Sequence, residues 1–140
     1  MKIALAIDGS NCSLRATRFL IGLIGGRDGS EVHVINVQPP VRYADLLPAR
    51  RKQLVKQWYR DGGETETAAA LEMLAEAKVA RDFHLVIGDP ATAIVKVARR
   101  LNCDLIVMGT RGMGKVAGLV LGSVATKVVH LADAPVTLVK

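Results

Sequence analysis

A glycine-rich segment in the last third of the chain carries the spacing most typical of anion binding. Gly109 follows an apolar run, and Gly112, Gly122 and Ser123 complete the pattern G-x2-G-x9-G-S. Glycines let backbone N–H groups approach a phosphate closely, and the N-terminus of a following helix adds unpaired donors and a partial positive charge. A helical pattern begins at Ser123. The order strand, glycine loop and helix therefore predicts a phosphate site at this point.

Other interpretations of the loop stay open. It is longer than the roughly two to six residues usual between a strand and a helix, and such loops are commonly functional or disordered. The segment Gly109–Lys115 matches the start of a P-loop, but Val116 stands where a hydroxyl residue would hold Mg²⁺. The spacing G-x-G-x3-G from Gly112 is a loose dinucleotide fingerprint without the acidic residue that should follow the next strand. A surface loop whose glycines only make turns is the remaining interpretation.

Length and composition indicate the class of fold. The 140 residues fit one domain, 1–140, with a sizeable core. Half of the residues are hydrophobic and only 4% are aromatic, so the core must be aliphatic, as in a buried parallel sheet flanked by helices. No apolar stretch is long enough to span a membrane, and the first residues do not resemble a signal peptide. A cytoplasmic location is the resulting expectation.

The cysteines and histidines form no recognisable pattern of metal ligands or disulfides. Cys12 and Cys103 are the two cysteines, and His33, His84 and His130 are far apart in the sequence. We expect the histidines to be structural or surface residues. Neither a Ser/His/Asp arrangement nor a carboxylate pair can be placed at the glycine loop, so efficient catalysis is not expected.

Apolar runs alternate with helical patterns along the chain. The runs predict strands over residues 2–7, 31–37, 83–87, 105–108 and 135–139. Helices are predicted after the turn cluster Gly9–Asn11, from Pro90 with Asp89 as N-cap, and from Ser123. Between the second and third strands we expect a partly helical segment over 41–61, an interruption at Gly62–Gly63, and a packed crossover helix over 64–80. Alternating strands and helices predict an α/β fold with a parallel sheet.

Apolar stripes along the predicted helices indicate which side chains face the core. In the first helix the stripe consists of Ala16, Phe19, Leu20, Leu23 and Ile24. In the segment 41–61 it consists of Leu47, Leu54, Val55 and Trp58, and in the crossover helix of Ala68, Leu71, Leu74, Ala75 and Val79.

Most of the excess positive charge lies in the segment 41–60. Its basic residues are Arg42, Arg50, Arg51, Lys52, Lys56 and Arg60, and they are opposed by Asp45. Clustered Arg and Lys on a helix can contact a phosphate backbone. An interaction module that binds nucleic acid or an acidic partner through this segment is therefore an alternative function.

The segments Met108–Gly112 and Gly122–Val124 together closely resemble the universal stress protein family, and more narrowly its ATP-binding branch with the motif G-x2-G-x9-G-[S/T]. The resemblance extends over the chain. Further matching segments are Ile7–Ser10, Val34–Val37, Gly88–Pro90 and Pro135–Val136. It implies an open, twisted, five-stranded parallel sheet of order 3-2-1-4-5 with helices on both faces, a Rossmann-like architecture. Strands one and four would then flank the crevice where such folds bind ligands.

The resemblance also implies roles for individual residues. Asp8 would accept hydrogen bonds from the ribose hydroxyls, the backbone of Val37 would hold the adenine edge, and Met108 would contact the base. The residues implied along the ribose and phosphates are Gly109, Arg111, Gly112, Gly122, Ser123 and Val124. One departure is Ala125, where many ATP-binding members carry Thr or Ser as a further phosphate contact.

The function implied is an ATP-binding, nucleotide-dependent regulatory switch of the stress response, with Mg²⁺ as an accompanying ion. Slow ATP hydrolysis or autophosphorylation would be the limit of its catalysis, with Ser123 as one candidate acceptor. The resemblance further implies a homodimer formed through the C-terminal strand, Val136–Val139, whose exposed edge needs covering.

Overall fold

The computed structural model describes residues 1–25, 29–112 and 121–140. Its elements in chain order are β1 (Lys2–Ala6), α1 (Asn11–Ile24), β2 (Glu31–Gln38), a short 3-10 helix (Ala44–Leu46), α2 (Ala49–Glu76), β3 (Ala80–Ile87), α3 (Pro90–Arg100), β4 (Leu105–Gly109), α4 (Ser123–Leu131) and β5 (Val136–Val139).

The five strands form one parallel sheet in the order β3-β2-β1-β4-β5. The fold class and the strand order expected from the sequence are thereby confirmed. Ala6, near the end of β1, pairs with Ile35 on one side and Met108 on the other. The chain runs outward from β1 to β3 and then returns to build the other half of the sheet from β4. Ligands of open α/β sheets bind at such a reversal, outside the carboxyl ends of the strands.

Two apolar layers cover the sheet, as the family resemblance implied. On one face, side chains of β1 and β2 pack against α1 and α2, with Leu5, Leu20 and Leu74 among the fully buried residues. On the other face, the same strands pack against α3 and α4 through residues that include Ile94 and Val128. Because both faces are covered, the central strands are apolar on both sides.

The interruption predicted at Gly62–Gly63 is wrong, because α2 is one continuous helix of 28 residues. A Cβ at Gly63 would lie 2.7 Å from Leu85 Cδ1 and 3.3 Å from Asn36 Oδ1. The glycine therefore lets the helix approach β2 and β3 closely. Tertiary packing outweighs the cost of about 1 kcal/mol that glycine has in a helix interior.

The predicted apolar stripes were only partly right. Leu54 and Trp58 are exposed on α2, while the hydroxyl of buried Tyr59 accepts a hydrogen bond from the Val41 N–H at 2.6 Å. On α1, Phe19 and Leu23 are also exposed. The buried positions of α2 are Tyr59, Gly63, Thr67, Ala70 and Leu74. The helix thus faces the sheet mainly with small residues of its second half.

β3 is longer than predicted and begins at Ala80 instead of residue 83. It is an outer strand of the sheet, and its first residues are exposed. Polar residues at its start, such as Asp82, hid its beginning from a search for apolar runs. Among the described helices, none has the length and apolar character that crossing a membrane requires.

Candidate functional site

A cavity of about 330 Å³ lies at the carboxyl ends of β1, β2 and β4, beside the N-termini of α3 and α4. All nine site residues proposed from the sequence line it: Asp8, Val37, Met108, Gly109, Arg111, Gly112, Gly122, Ser123 and Val124. Residues more than a hundred positions apart in the chain therefore meet in one place. The strand order explains this, because β1 and β4 are neighbours.

One side of the cavity is apolar. Val37 and Met108 lie there with Ala6, Ile35 and Ile94. These side chains belong to the core layer between the sheet and helices α3 and α4. This part of the cavity can hold a flat, weakly polar group away from water.

A fixed carboxylate lies on the polar side. Asp8 follows β1, and its Oδ1 accepts a hydrogen bond from the Ser10 N–H at 3.1 Å. The Ser10 side chain also caps α1 by accepting from the Ser13 N–H, and its hydroxyl lies 3.4 Å from the Arg111 carbonyl oxygen. The carboxylate, the first turn of α1 and the start of the glycine loop are thus connected. Asp8 Oδ2 has no such bond within the described part of the chain, and it can accept one from a ligand.

Gly109 has a packing role that the motif alone did not reveal. A Cβ at this position would lie 2.7 Å from the Cys12 Cβ and 2.8 Å from the Cys12 carbonyl carbon. The N-terminus of α1 therefore packs directly against the end of β4. Any larger residue at position 109 would displace α1, and with it the segment that fixes Asp8.

The N-terminus of α4 faces the cavity without a side-chain cap. Its N-cap is Gly122, which has no side chain that could accept a hydrogen bond from the first turn. The side chains of Ser10 and Asp89, in contrast, cap α1 and α3. The Gly122 N–H instead donates to the Thr110 carbonyl at 2.7 Å and so holds the loop end in place. The first N–H groups of any helix lack intrahelical partners, and they carry partial positive charge. This helix end can bind an anion.

Asp89 joins the start of α3 to α4, next to Pro90, which lines the cavity. Its Oδ1 accepts hydrogen bonds from the Thr92 hydroxyl at 2.6 Å and from Lys127 Nζ on α4 at 2.9 Å. The Thr92 hydroxyl, then Lys127 and the Thr92 N–H, lower the pKa of Asp89 to about 2 from its usual 3.8. The N-cap role predicted for Asp89 and the position of Pro90 at the helix start are confirmed.

Sequence reasoning missed part of the cavity wall. Thr110, Ile35 and Ile94 line the cavity, together with Ala6, Ile7, Ser13 and Pro90. A signal for Ile35 existed, since residues two apart in a strand share a face with one another, and Val37 was already a candidate. Ala125 also lines the cavity and is buried, so the departure from the ATP-binding pattern lies at the site itself.

The P-loop and dinucleotide interpretations depend partly on residues 113–118. These residues, including Lys115, lie outside the described ranges. Gly122 and Ser123, which complete the longer motif, are described and lie at the start of α4.

The strand order defines a doubly wound α/β protein, and its cavity lies at the switch point, where such folds bind ligands. The model of the universal stress protein family matches residues 1–140. A universal stress protein from Thermus aquaticus is 36% identical over 140 residues, which cover 99% of this chain and 97% of that protein. One from Methanocaldococcus jannaschii is 33% identical over 142 residues, which cover 99% of this chain and 81% of that protein. The chain belongs to the universal stress protein family.

Solved structures share the fold at lower sequence identity. The universal stress protein UspA from Lactobacillus plantarum has a TM-score of 0.81 at 17% identity, covering 100% of this chain and 97% of that one. The universal stress protein from Archaeoglobus fulgidus in complex with dAMP has a TM-score of 0.68 at 24% identity, covering 100% and 98%. A family member from Arabidopsis thaliana with AMP bound has a TM-score of 0.70 at 18% identity, covering 100% and 91%.

Proposed function

We propose that this protein binds an adenine nucleotide in the cavity at the switch point and uses ATP as a regulatory ligand. The uncapped N-terminus of α4 carries the proposal, because it shares one cavity with the Asp8 carboxylate and an apolar wall. The helix end complements a phosphate, the carboxylate complements the hydroxyls of a ribose, and the apolar wall complements a base. The complexes of other family members with AMP and dAMP support the choice of an adenine nucleotide.

In the proposed complex the base lies between Val37 and Met108, and the ribose hydroxyls donate to Asp8. The phosphates accept hydrogen bonds from the backbone N–H groups of Ser123 and Val124, while Gly122, whose N–H donates to the Thr110 carbonyl, adds no side chain at the helix start. The guanidinium of Arg111, which is exposed beside the cavity, adds positive charge near the phosphate path. Gly112 keeps the space beside Asp8 free of a side chain, and Gly109 lets the start of α1 pack against the end of β4.

The role proposed is that of a cytoplasmic stress-response switch without efficient catalysis. A bound phosphate chain would connect the loop after β4 with the start of α4, and partners would distinguish the bound from the free state. Ser123 is the candidate acceptor for slow autophosphorylation, since it is exposed at the helix start.

Thermal denaturation with a series of nucleotides tests this proposal. A ligand that binds only the folded state raises the melting temperature by an amount that grows with its concentration and affinity. We expect ATP, ADP and AMP to raise it, with and without Mg²⁺, and GTP at equal concentration to have a smaller effect. An equal effect of GTP would contradict an adenine site, and no effect of any nucleotide would contradict the whole proposal.

We also propose that two copies pair through β5. This strand, Val136–Val139, is an outer strand of the sheet, and all four of its residues are only partly buried. An outer strand with apolar residues is normally covered or paired. Light scattering should give twice the mass of one chain, which is 15.0 kDa. Thr137→Asp should lower the measured mass, because it places like charges where the β5 strands of the two copies would meet. Thr65→Asp on exposed α2 is the control. A monomeric wild type would contradict the pairing.

A second candidate function rests on the exposed first half of α2. Arg50, Arg51, Lys52, Lys56 and Arg60 are all exposed there. Trp58 is 54% exposed and Leu54 is 65% exposed on the same helix, which favours a contact surface over a merely solvated one. Binding of a nucleic acid should weaken steeply as salt rises. No binding at low salt would exclude nucleic acid and leave an acidic protein partner.

A further inference from the structure

Glu31, His33 and Asp82 meet near the amino ends of β2 and β3, at the opposite end of the sheet from the nucleotide cavity. His33 pairs in register with Asp82, and Glu31 is two residues before His33 on the same strand. Residues with these relations share one face of a parallel sheet. One oxygen from each carboxylate and one ring nitrogen of His33 all lie within 4.8 Å of one another. Glu31 Oε1 is 3.6 Å from Nε2, whereas Asp82 Oδ2 is 3.9 Å from Nδ1.

His33 has an unused ring nitrogen in this cluster. The residue is only 3% exposed, and Nε2 has no hydrogen-bond partner within the described part of the chain. The nearest acid, Glu31 Oε1, is 3.6 Å away, too far for a hydrogen bond. A buried polar atom without a partner is rare and requires an explanation. An ion between the nitrogen and the carboxylate would provide one.

The other ring nitrogen is already engaged. His33 Nδ1 lies 3.2 Å from His84 Nε2. A hydrogen bond between two ring nitrogens needs a proton on one and a lone pair on the other. If neutral His33 donates from Nδ1, its lone pair stays on Nε2, toward Glu31. Metal-binding histidines commonly donate their second N–H to a fixed acceptor that holds the ring orientation.

We propose that Glu31, His33 and Asp82 form a binding site for a divalent transition metal such as Zn²⁺. Imidazole nitrogen suits Zn²⁺, Ni²⁺ and Cu²⁺ better than Mg²⁺ or Ca²⁺, and carboxylates complete such sites. Two carboxylates and a neutral imidazole also balance the charge of a divalent ion. The Glu31 and Asp82 side chains are 43% and 63% exposed. Asp82 is therefore free to turn from Nδ1 toward an ion on Nε2, and water can fill the remaining positions of the ion.

The site is independent of the nucleotide. Glu31 is the first residue of β2, whereas the cavity lies at the carboxyl ends of the strands. An ion here would tie β3 to β2 at an outer strand that has little cover. We therefore expect the metal to stabilise the edge of the sheet whether or not a nucleotide is bound.

Calorimetric titration of the nucleotide-free full chain with ZnCl₂, in a non-chelating buffer, tests the proposal. We expect one Zn²⁺ per chain, and a loss of about tenfold or more in affinity for Asp82→Asn and for Glu31→Gln. Both acids are partly exposed, so these variants should fold. The matched controls are Glu72→Gln and His130→Gln, at exposed positions on α2 and α4, and they should bind as the wild type does.

A second readout identifies the ligand atom. On adding Zn²⁺, the NMR signal of His33 Nε2 should shift strongly, while Nδ1 keeps its proton. Cys12→Ser should leave the affinity unchanged, because the thiol is not a ligand. Three results would each overturn the proposal: no binding of Zn²⁺, an unshifted His33 signal, or affinities for Asp82→Asn and Glu31→Gln equal to that of the wild type.

Discussion

Gly112 lies so close to Asp8 that a Cβ built at position 112 would be 2.5 Å from Asp8 Oδ2. Gly112 is not among the residues with positive φ, so the requirement for glycine at this point is one of space. The same carboxylate is held from its other oxygen by the Ser10 N–H. Gly112, the first glycine of the loop after Gly109, therefore preserves the position of the Asp8 carboxylate, which follows β1.

The proposed contact between Asp8 and the ribose can be tested by changing both partners. Hydrogen bonds to a charged group contribute about 1.5–3 kcal/mol, so the wild type should bind ATP more tightly than 2′,3′-dideoxy-ATP by at least about tenfold. Asp8→Asn should remove most of that preference, and Gly112→Ala should reduce it by displacing the carboxylate. Calorimetry measures each affinity, and the control is Asp61→Asn, at an exposed position of α2. A preference that survives in Asp8→Asn would place the ribose elsewhere.

Gly122→Val should disable the phosphate end of the cavity. Gly122 has φ −72° and ψ 157°, which valine can adopt, but a Cβ there would already lie 3.3 Å from the Thr110 carbonyl oxygen. The added methyl groups should crowd the phosphates and lower ATP affinity by about tenfold or more, roughly 1.4 kcal/mol. Gly22→Ala is the control, since no atom of the described residues lies within 4 Å of its Cβ position. Unchanged ATP binding by Gly122→Val would remove the helix end from the site.

Ala125→Ser should strengthen phosphate binding. Ala125 is 2% exposed and lines the cavity, so a hydroxyl there faces the proposed phosphates. One added hydrogen bond contributes about 1 kcal/mol, a several-fold gain in affinity. Competition binding with ATP and adenosine separates the effect, because adenosine has no phosphate and should gain nothing. An equal gain for adenosine would show that the hydroxyl acts on the nucleoside instead.

Asp89 should make stability depend on pH in the acid range. The pKa of Asp89 is about 2 in the folded protein and near its usual 3.8 in the unfolded chain. The folded state therefore binds a proton at Asp89 less readily than the unfolded state. The contribution of ionised Asp89 to the free energy of unfolding is therefore complete above about pH 3.8 and is lost as the pH falls through 3.8 toward 2. Urea unfolding should show that Asp89→Asn is less stable than the wild type at neutral pH, and that the gap narrows at low pH. If the difference in the free energy of unfolding between the wild type and Asp89→Asn stays constant from neutral pH to pH 2, the lowered pKa of Asp89 is contradicted.

The two adjacent glycines of α2 should respond differently to alanine. Among the described residues, the nearest atom to a Cβ at Gly62 is Gln38 Oε1 at 3.4 Å, whereas a Cβ at Gly63 would meet Leu85 and Asn36 at 2.7 and 3.3 Å. Gly62→Ala should stabilise the protein by about 0.5–1 kcal/mol through helix propensity. Gly63→Ala should forfeit that gain, because Asn36 is held by hydrogen bonds to Ile7 and Glu66. Equal free energies of unfolding for the two variants would contradict this packing.

Local patterns predicted the alternation of strands and helices and the glycine loop before α4, because the residues that carry those patterns are close in sequence. The strand order and the places of Asp8, Val37 and Met108 came from the family resemblance, since these residues are far apart in the chain. The apolar runs marked the strands, and the glycine spacing marked the start of α4. The continuity of α2 was not predictable in this way. Gly63 favours an interruption locally, and the reason for its place in the helix lies in Leu85, on a strand that follows in the chain.

Contacts between distant segments account for the other differences. Trp58 fits an apolar stripe by spacing, but α2 packs on the sheet mainly through its second half, so Trp58 stays exposed. His33 and His84 are 51 positions apart yet lie in hydrogen-bond contact. Only the pairing of β2 with β3 brings these rings together, and no spacing within the sequence indicates it.

Calorimetric titration of the nucleotide-free protein with ATP, with and without Mg²⁺, tests the central claim most directly. A single site per chain with a dissociation constant in the micromolar range or tighter, about 8 kcal/mol or more, is the expected result. The Asp8→Asn and Gly122→Val variants should bind more weakly under the same conditions. The absence of binding by the wild type at millimolar ATP would contradict the nucleotide switch, and the exposed basic half of α2 would then become the leading candidate surface.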